Sequence, residues 1–272
     1  MDVPRVQEPV RVDSKAVISS ALDGGVLVLR LARPERRNAL DEQMVDALRR
    51  SLEAAATDDA VQAVVLTGEG SAFCAGADLA RFDEALDGRA FRFQSHRLTA
   101  LPELIERIEK PVIAAVNGAA VGFGVQLALA CDLRVGATSA RFLFSEGRLG
   151  LLPTHGGVAR LVKLVGLARA RDLLLSSREV SAARAYELGL LTEFVPDDEL
   201  LERAHALAAD ALTRAPQSYG LTKRLLLVAA SADLASGLSA ETIAQSLLVE
   251  SQDHAEGVRA AQEGRLPSFT GR

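Results

Sequence analysis

Cysteine is scarce in this 272-residue chain: only Cys74 and Cys131 occur, both inside apolar segments. Two isolated thiols give no disulfide framework and no metal-ligand spacing, so free buried cysteines in a cytoplasmic protein are expected. His96, His205 and His254 show no metal spacing with one another either, and no metal is expected. Long hydrophobic runs are also missing. Asn117, Gln126 or charged residues interrupt every apolar stretch well before the roughly 20 residues of a bilayer-spanning helix, so no membrane span is expected. Charge of one sign is not in excess. A formal net charge of −5, with acids and bases interspersed, leaves no basic footprint for nucleic acid. Met1 to Ser20 has no apolar core of a signal peptide, and with Pro4 and Pro9 among charged residues it reads as a disordered tail. What is present in quantity is hydrophobic sequence, 49% of the chain, which excludes a disordered protein and suits one large core or one domain with an appendage.

The stretch from Lys110 to Gly157 organises the rest. Pro111 to Val116 is an uncharged β-prone run of the kind a strand buried on both faces uses. Asn117-Gly118 supplies a turn, and Gly122 and Gly124 flank Phe123 just before the helix-forming run Val125 to Ala130. The N–H groups of residues 122 to 124 then lie at the open, partially positive first turn of a helix, where they can stabilise a negative oxygen. Gly-x-Gly alone reads first as no more than a tight strand-to-helix turn. A second glycine turn strengthens the first: Phe73-Cys74-Ala75-Gly76-Ala77-Asp78-Leu79 follows the strand-like run Ala63 to Gly68. The two turns can lie side by side at the same edge of one sheet, with the N–H groups of Ala77 and Phe123 converging on one carbonyl oxygen.

Around this centre, Val26 to Leu31 reads as a strand, Ala32 to Ala39 as a loop and Leu40 to Ala56 as an amphipathic core helix. Ala80 to Thr99 has no clean period and reads as mobile helix; Leu101 to Ile108 follows as a separate short helix. Strands are expected at Leu133 to Gly136, Arg141 to Phe144 and Leu190 to Val195. Helices are expected at Gly157 to Leu164, Leu167 to Leu175 and, with Ser181 as N-cap, Ser181 to Glu187. From Asp197 to Ala230 and from Ala240 to Ala261 the pattern is helical throughout, and no linker separates an independent domain.

RPERRNAL (33–40), FCAGADL (73–79), KPVIAAVNGAAVGFGVQLALACDLRV (110–135) and the terminal EGRLPSFTGR (263–272) together resemble the crotonase family of enoyl-CoA hydratases and isomerases. The resemblance runs from about Gly24 to Arg272. It implies an α/β fold, the ClpP/crotonase-like spiral of ββα units with a C-terminal helical layer. The division it suggests is a tail (1–20), a spiral core (21–215) and a helical trimerisation region (216–272). It implies further an acyl-CoA thioester as substrate, coenzyme A entering only as part of it with no separate cofactor, and assembly into a homotrimer or a hexamer made of two trimers. By position the oxyanion hole falls on Ala77 and Phe123, where Phe123 replaces the usual glycine but keeps its N–H. The same carry-over assigns coenzyme A contacts to Arg36, Arg37, Ala39, Ala75, Asp78 and Leu79. The segment 80–99 becomes the variable cover of the acyl pocket and the carrier of chain-length preference. The usual C-terminal F-x-x-K-R is missing, with Ala261, Gly264 and Arg265 instead, so Arg36, Arg37 or Arg265 would have to hold the phosphates.

The decisive departure concerns carboxylates. Hydratases of the family hold and activate water with two glutamates; the first position is Gln126 here, and Glu146 falls at the second. Glutamine can orient a water but has no useful basicity, so it is no general base. A reaction needing one base suits this pair: Glu146 takes a proton from C2 and returns it to C4 while the oxyanion hole holds the dienolate, which isomerises an enoyl-CoA as in fatty acid metabolism. The alternatives are a hydratase in which Gln126 positions the water, a non-catalytic acyl-CoA binding protein, and hydrolysis, decarboxylation or C–C cleavage of a thioester. Glu146 could also merely close a turn or pair with Arg148. Burial beside Phe142 and Phe144 is expected to raise its pKa. His155 stands where the family has a small residue, either as a second proton carrier near the acyl group or as an ordinary surface or core histidine.

Overall fold

Through the middle of the chain successive strands alternate between two sheets, and this alternation brings the glycine turns together. In the computed structural model, which describes residues 17–82 and 87–272, β1 (Ile18–Asp23) pairs antiparallel with β2 (Val26–Leu31) at one side of the first sheet. There follow β3 (Ala63–Gly68), β4 (Ala72–Cys74), β5 (Val112–Val116), β6 (Ala119–Val121), β7 (Leu133–Ala137), β8 (Arg141–Leu143), β9 (Val180–Ser181) and β10 (Glu193–Val195). The first sheet has the order β1-β2-β3-β5-β7-β10, the second β4-β6-β8-β9. Each of the pairs β3/β4, β5/β6 and β7/β8 thus gives one strand to each sheet, and the helix after it carries the chain to the next pair. This is the α/β spiral that the sequence implies.

β3 and β5 are buried along their whole length. Because side chains alternate across a strand, Val64 and Leu66 join one core with Leu29, Val112 and Ala114, while Ala63 and Val65 join another with Val28, Ile113 and Ala115. The first core is closed by α1 (Glu42–Thr57), α2 (Gly88–Arg107) and α3 (Phe123–Ala130), the second by Leu200, Ala204 and Ala208 of α7 (Leu200–Ala211). In α1 the Asp41 side chain accepts from Met44 N at 2.8 Å as an N-cap, and Met44, Leu48 and Leu52 are fully buried.

The remaining helices are α4 (Gly157–Val165), α5 (Leu167–Ser176), α6 (Ala182–Leu188), α8 (Pro216–Ala229), α9 (Leu234–Leu248) and α10 (Gln252–Glu263). α8 is tied to the core by Lys223. Its Nζ, on a buried side chain, donates to Ile105 O at 2.9 Å and Lys110 O at 3.3 Å and pairs with the half-buried Asp132 at 2.9 Å. Leu226, Leu234, Leu238, Ile243 and Leu247 of α8 and α9 are exposed. Among the described residues no helix is long and apolar enough to cross a membrane.

Several elements differ from expectation. The N-terminal tail was expected to reach Ser20; residues 1–16 lie outside the described residues, but Ile18 to Ser20 belong to β1, an edge strand held by its ladder to β2 rather than by burial. Residues 83–86 of the expected helix 80–99 also lie outside the described residues. Residues 80–82 fall in a short 3-10 helix (Leu79–Phe82), while from Gly88 onward the segment joins 101–107 in one helix, α2, which runs through Pro102. An interior proline costs about 3 kcal/mol, whereas burying Leu101 and Ile105 on one face contributes roughly 1.5–3 kcal/mol each, and both are fully buried. The expected helix from 197 to 230 breaks over 212–215, where Pro216 starts α8 as its first residue. Leu190 and Leu191 are core residues before β10 rather than part of it.

Candidate active site

β4 and β6 are neighbours and run parallel, so the turns that follow them leave the same end of the second sheet. The turns therefore meet at that sheet, not at the edge of the sheet holding β3 and β5 as the sequence suggests. Strands of three residues show no period, which is why β4 and β6 escape a sequence reading. The contact is between backbones. Gly76 has φ +90°, and a Cβ there would lie 2.7 Å from Val121 O and 3.2 Å from Phe123 N. Gly124 would likewise place a Cβ 2.3 Å from Cys74 O, so both turns need glycine for their approach.

Leu40 N donates to Gly76 O and Asp78 N to Leu40 O, which fixes the peptide plane of Ala77. Gly122, at φ +52°, precedes α3 and accepts from Val125 N and Gln126 N, leaving Phe123 N at the helix opening. Neither the Ala77 nor the Phe123 N–H donates to an acceptor among the described residues. Both residues line one cleft of about 990 Å³ together with Glu146, Gln126 and His155. Two unspent donors, one of them at the positive end of a helix, suit an oxygen that becomes negative.

Glu146 opens a one-turn 3-10 helix after β8. Gln126, one turn into α3 and buried, donates from Nε2 to Glu146 Oε1 at 2.8 Å. Glu146 Oε2 and Gln126 Oε1 are buried with no hydrogen-bond partner among the described residues. Burial raises the Glu146 pKa above the usual carboxylate value; hydrogen bonds from its own backbone amide and from Gln126 pull less strongly the other way. The guanidinium of Arg148 donates to Ser177 O, so the alternative of a Glu146–Arg148 pair is not what forms. Cys74 and Cys131 are buried free thiols pushed up to about 12 by desolvation, which makes both inert at neutral pH.

His155 lies on the wall of the cleft, neither in the core nor on the outer surface. Its Nδ1 is 3.0 Å from Thr99 Oγ1, and its ring meets that of Phe123 edge to face at 5.1 Å. Phe91, Ser95 and Leu98 from α2, and Leu151 and Leu152 before α4, complete this wall. Sequence reading missed these residues singly, although the segment 80–99 is where the cover of the pocket was expected.

Of the expected coenzyme A contacts, Ala75 and Leu79 line the cleft. Arg36 and Arg37 are exposed on the loop before α1, beside the second turn, where Arg37 O accepts from Ala75 N at 2.9 Å. Ala39 and Asp78 are not part of the cleft wall: Ala39 O accepts from Arg33, whose guanidinium also pairs with Asp78 at 3.3 Å and with Asp41 at 2.8 Å. Arg33, passed over for its two neighbours, is thus what orders this loop. Arg265 is held by Glu256 and Glu263, both at 2.6 Å, and is not a free phosphate ligand.

Residues 22–272 match the model of the enoyl-CoA hydratase/isomerase family. The chain belongs to this family. Among its relatives, the 2,3-dehydroadipyl-CoA hydratase of Escherichia coli (strain K12) is 37% identical over 247 residues, covering 91% of this chain and 96% of that protein. The 1,2-epoxyphenylacetyl-CoA isomerase of the same strain is 36% identical over 258 residues, covering 94% and 98%. The crystal structure of an enoyl-CoA hydratase from Bacillus anthracis superposes with a TM-score of 0.89 at 33% identity, over 94% of this chain and all of that one. A hydratase and an isomerase stand at nearly equal distance, so the choice of reaction within the family rests on the site.

Proposed function

We propose that the protein isomerises enoyl-CoA thioesters, moving a double bond from the 3,4 to the 2,3 position with Glu146 as the one proton carrier. The observation that carries this reading is the 2.8 Å bond from the Gln126 amide to Glu146 Oε1, which replaces a second carboxylate by a neutral donor and leaves Oε2 as the single basic oxygen. With the thioester oxygen between the N–H groups of Ala77 and Phe123, Glu146 Oε2 removes a proton from C2. The electron pair passes into the carbonyl, giving a dienolate held by the two donors. The electrons then return through C2 and C3, the double bond forms between them, and the proton on Glu146 goes to C4. Net, one proton has moved and no bond to water has formed. A carboxylate with a raised pKa suits both halves, because it takes and gives the same proton.

Coenzyme A enters as part of the substrate, with no separate cofactor, and the exposed Arg36 and Arg37 carry the charge that suits its phosphates. The apolar face of α8 and α9 serves assembly into a homotrimer or a pair of trimers. A second reading, a hydratase, is favoured by one observation: Gln126 Oε1 and Glu146 Oε2 are two buried acceptors to which one water can donate. The test follows the conjugated enoyl-thioester absorbance with a 3-enoyl-CoA and a 2-enoyl-CoA. A rise with the 3-enoyl substrate that Glu146→Gln lowers by about 10²–10⁴ is expected. Decay of the 2-enoyl signal instead makes the protein a hydratase, and binding without either change makes it an acyl-CoA binding protein.

A further inference from the structure

Gly156 caps α4 and Gly157 opens it, and one turn in, Arg160 folds back over that opening. Its guanidinium is forked onto both oxygens of Glu106, each bond 2.6 Å long, and donates to His155 O at 2.6 Å. Both side chains are largely out of water, at 16% and 20% exposure, so this pair is unlike a loosely held surface bridge. The backbone is shaped to admit it. Gly156 has φ +86°, and a Cβ there would lie 2.0 Å from an Arg160 guanidinium nitrogen. His155 is held at φ +53°, a region that residues other than glycine avoid and keep only where their surroundings over-determine it.

The pair joins two elements of the cleft without lining it. Glu106 is in the last turn of α2, and Thr99 lies two turns earlier on the same face, where its Oγ1 is 3.0 Å from His155 Nδ1. α2 and the turn 154–157 therefore meet at two polar points. Between those points Pro102 has no N–H to give Leu98 O, so α2 lacks one of its own bonds where it passes from its tied end to the residues of the pocket. Those residues are Phe91, Ser95 and Leu98, and the turn adds Thr154 and His155. Neither Glu106 nor Arg160 is among the lining residues, so both act on a bound chain through these neighbours.

Resting on the reading of the cleft as an acyl-CoA site, we propose that Glu106 and Arg160 are positioning residues for acyl-chain selectivity: their ion pair fixes the gap between α2 and the turn 154–157, and with it the longest chain the cleft accepts. A chain too long for the cleft has to strain a shielded, doubly bonded pair in order to enter, and is disfavoured. Without the pair the turn at His155 relaxes, the wall yields and longer chains are admitted.

Calorimetry tests this without turnover, on saturated thioesters from butanoyl-CoA to hexadecanoyl-CoA. With the parent protein, affinity is expected to rise with chain length and then to fall by about tenfold beyond the length that fits. Glu106→Gln and Arg160→Met should each reduce that fall to about threefold or less, while butanoyl-CoA binding stays within about twofold of the parent. Arg160→Lys, which keeps the charge but not the fork, should stand between these variants and the parent. Glu106→Gln preserves the shape of the side chain and decides alone if Arg160→Met does not fold. The proposal is overturned if affinity rises through the whole series without a fall, if the fall is unchanged in the folded variants, or if affinity drops by one common factor at every length, as a merely structural pair requires. If the parent binds no thioester, the acyl-CoA reading itself fails, and this inference with it.

Discussion

Gln126 Nε2 donates to Glu146 Oε1 at 2.8 Å, so the amide that stands in for a second acid orients the remaining carboxylate. It also holds the carboxylate's pKa down against burial, because it bonds to the charged form. Gln126→Leu should therefore raise the pKa of Glu146 and move the acid limb of the pH–rate profile to higher pH. Gln126→Glu places two carboxylates in contact, so one proton is shared and the apparent pKa rises further. With a second acid–base group present, hydration of a 2-enoyl-CoA should increase relative to isomerisation, by about 10² or more. Unmoved acid limbs in both variants would sink the assignment of Glu146 as the base.

Glu146 should also oppose folding. Its folded pKa lies above the ordinary 4.5 to which it returns on unfolding, so the folded chain binds this proton more tightly. Stability from this group is complete below 4.5 and is lost as pH rises through the folded pKa. Glu146→Gln removes that loss. In thermal melts the variant should exceed the parent at about pH 8 and converge with it toward pH 4. A variant less stable than the parent at the higher pH would contradict this.

At Gly76, φ +90° and the 2.7 Å approach to Val121 O leave no room for a methyl group. Gly76→Ala should cost about 1–3 kcal/mol in chemical denaturation from backbone strain. Because it displaces Ala77 relative to Phe123, kcat should fall by more than tenfold while Cys74 stays unreactive toward thiol reagents. A fully active variant would show that the two N–H groups do not act together.

The exposed leucine and isoleucine side chains of α9 are expected to lie between subunits. Ile243 and Leu247 are each more than half exposed in the single chain. Ile243→Glu or Leu247→Glu should therefore lower the sedimentation coefficient from that of a trimer or hexamer toward a monomer, with helical circular dichroism retained. A parent protein that sediments as a monomer would refute the assembly.

The sequence made the centre legible because strand, glycine turn and short helix each carry a local signal there: an uncharged β-prone run, tolerated positive φ, and good helix formers. Expectation failed where structure depends on partners. β1 is mostly exposed and exists through its ladder to β2, which no pattern of burial records. The segments 80–99 and 101–108 read as separate helices, yet the burial of Leu101 and Ile105 carries α2 through Pro102. In the site, Gln126 and Glu146 could be named, but not that one donates to the other. Nor does any local pattern bring His155 to Thr99, which is 56 residues away in the chain and sits on α2.

Lys223 joins regions with different tasks. Its ammonium group grips Ile105 O, in the last turn of α2, the helix that also carries Thr99 and Leu98 on the cleft wall. It projects from α8, whose other residues present exposed leucines. One ammonium group therefore fastens α8 to the helix that lines the cleft.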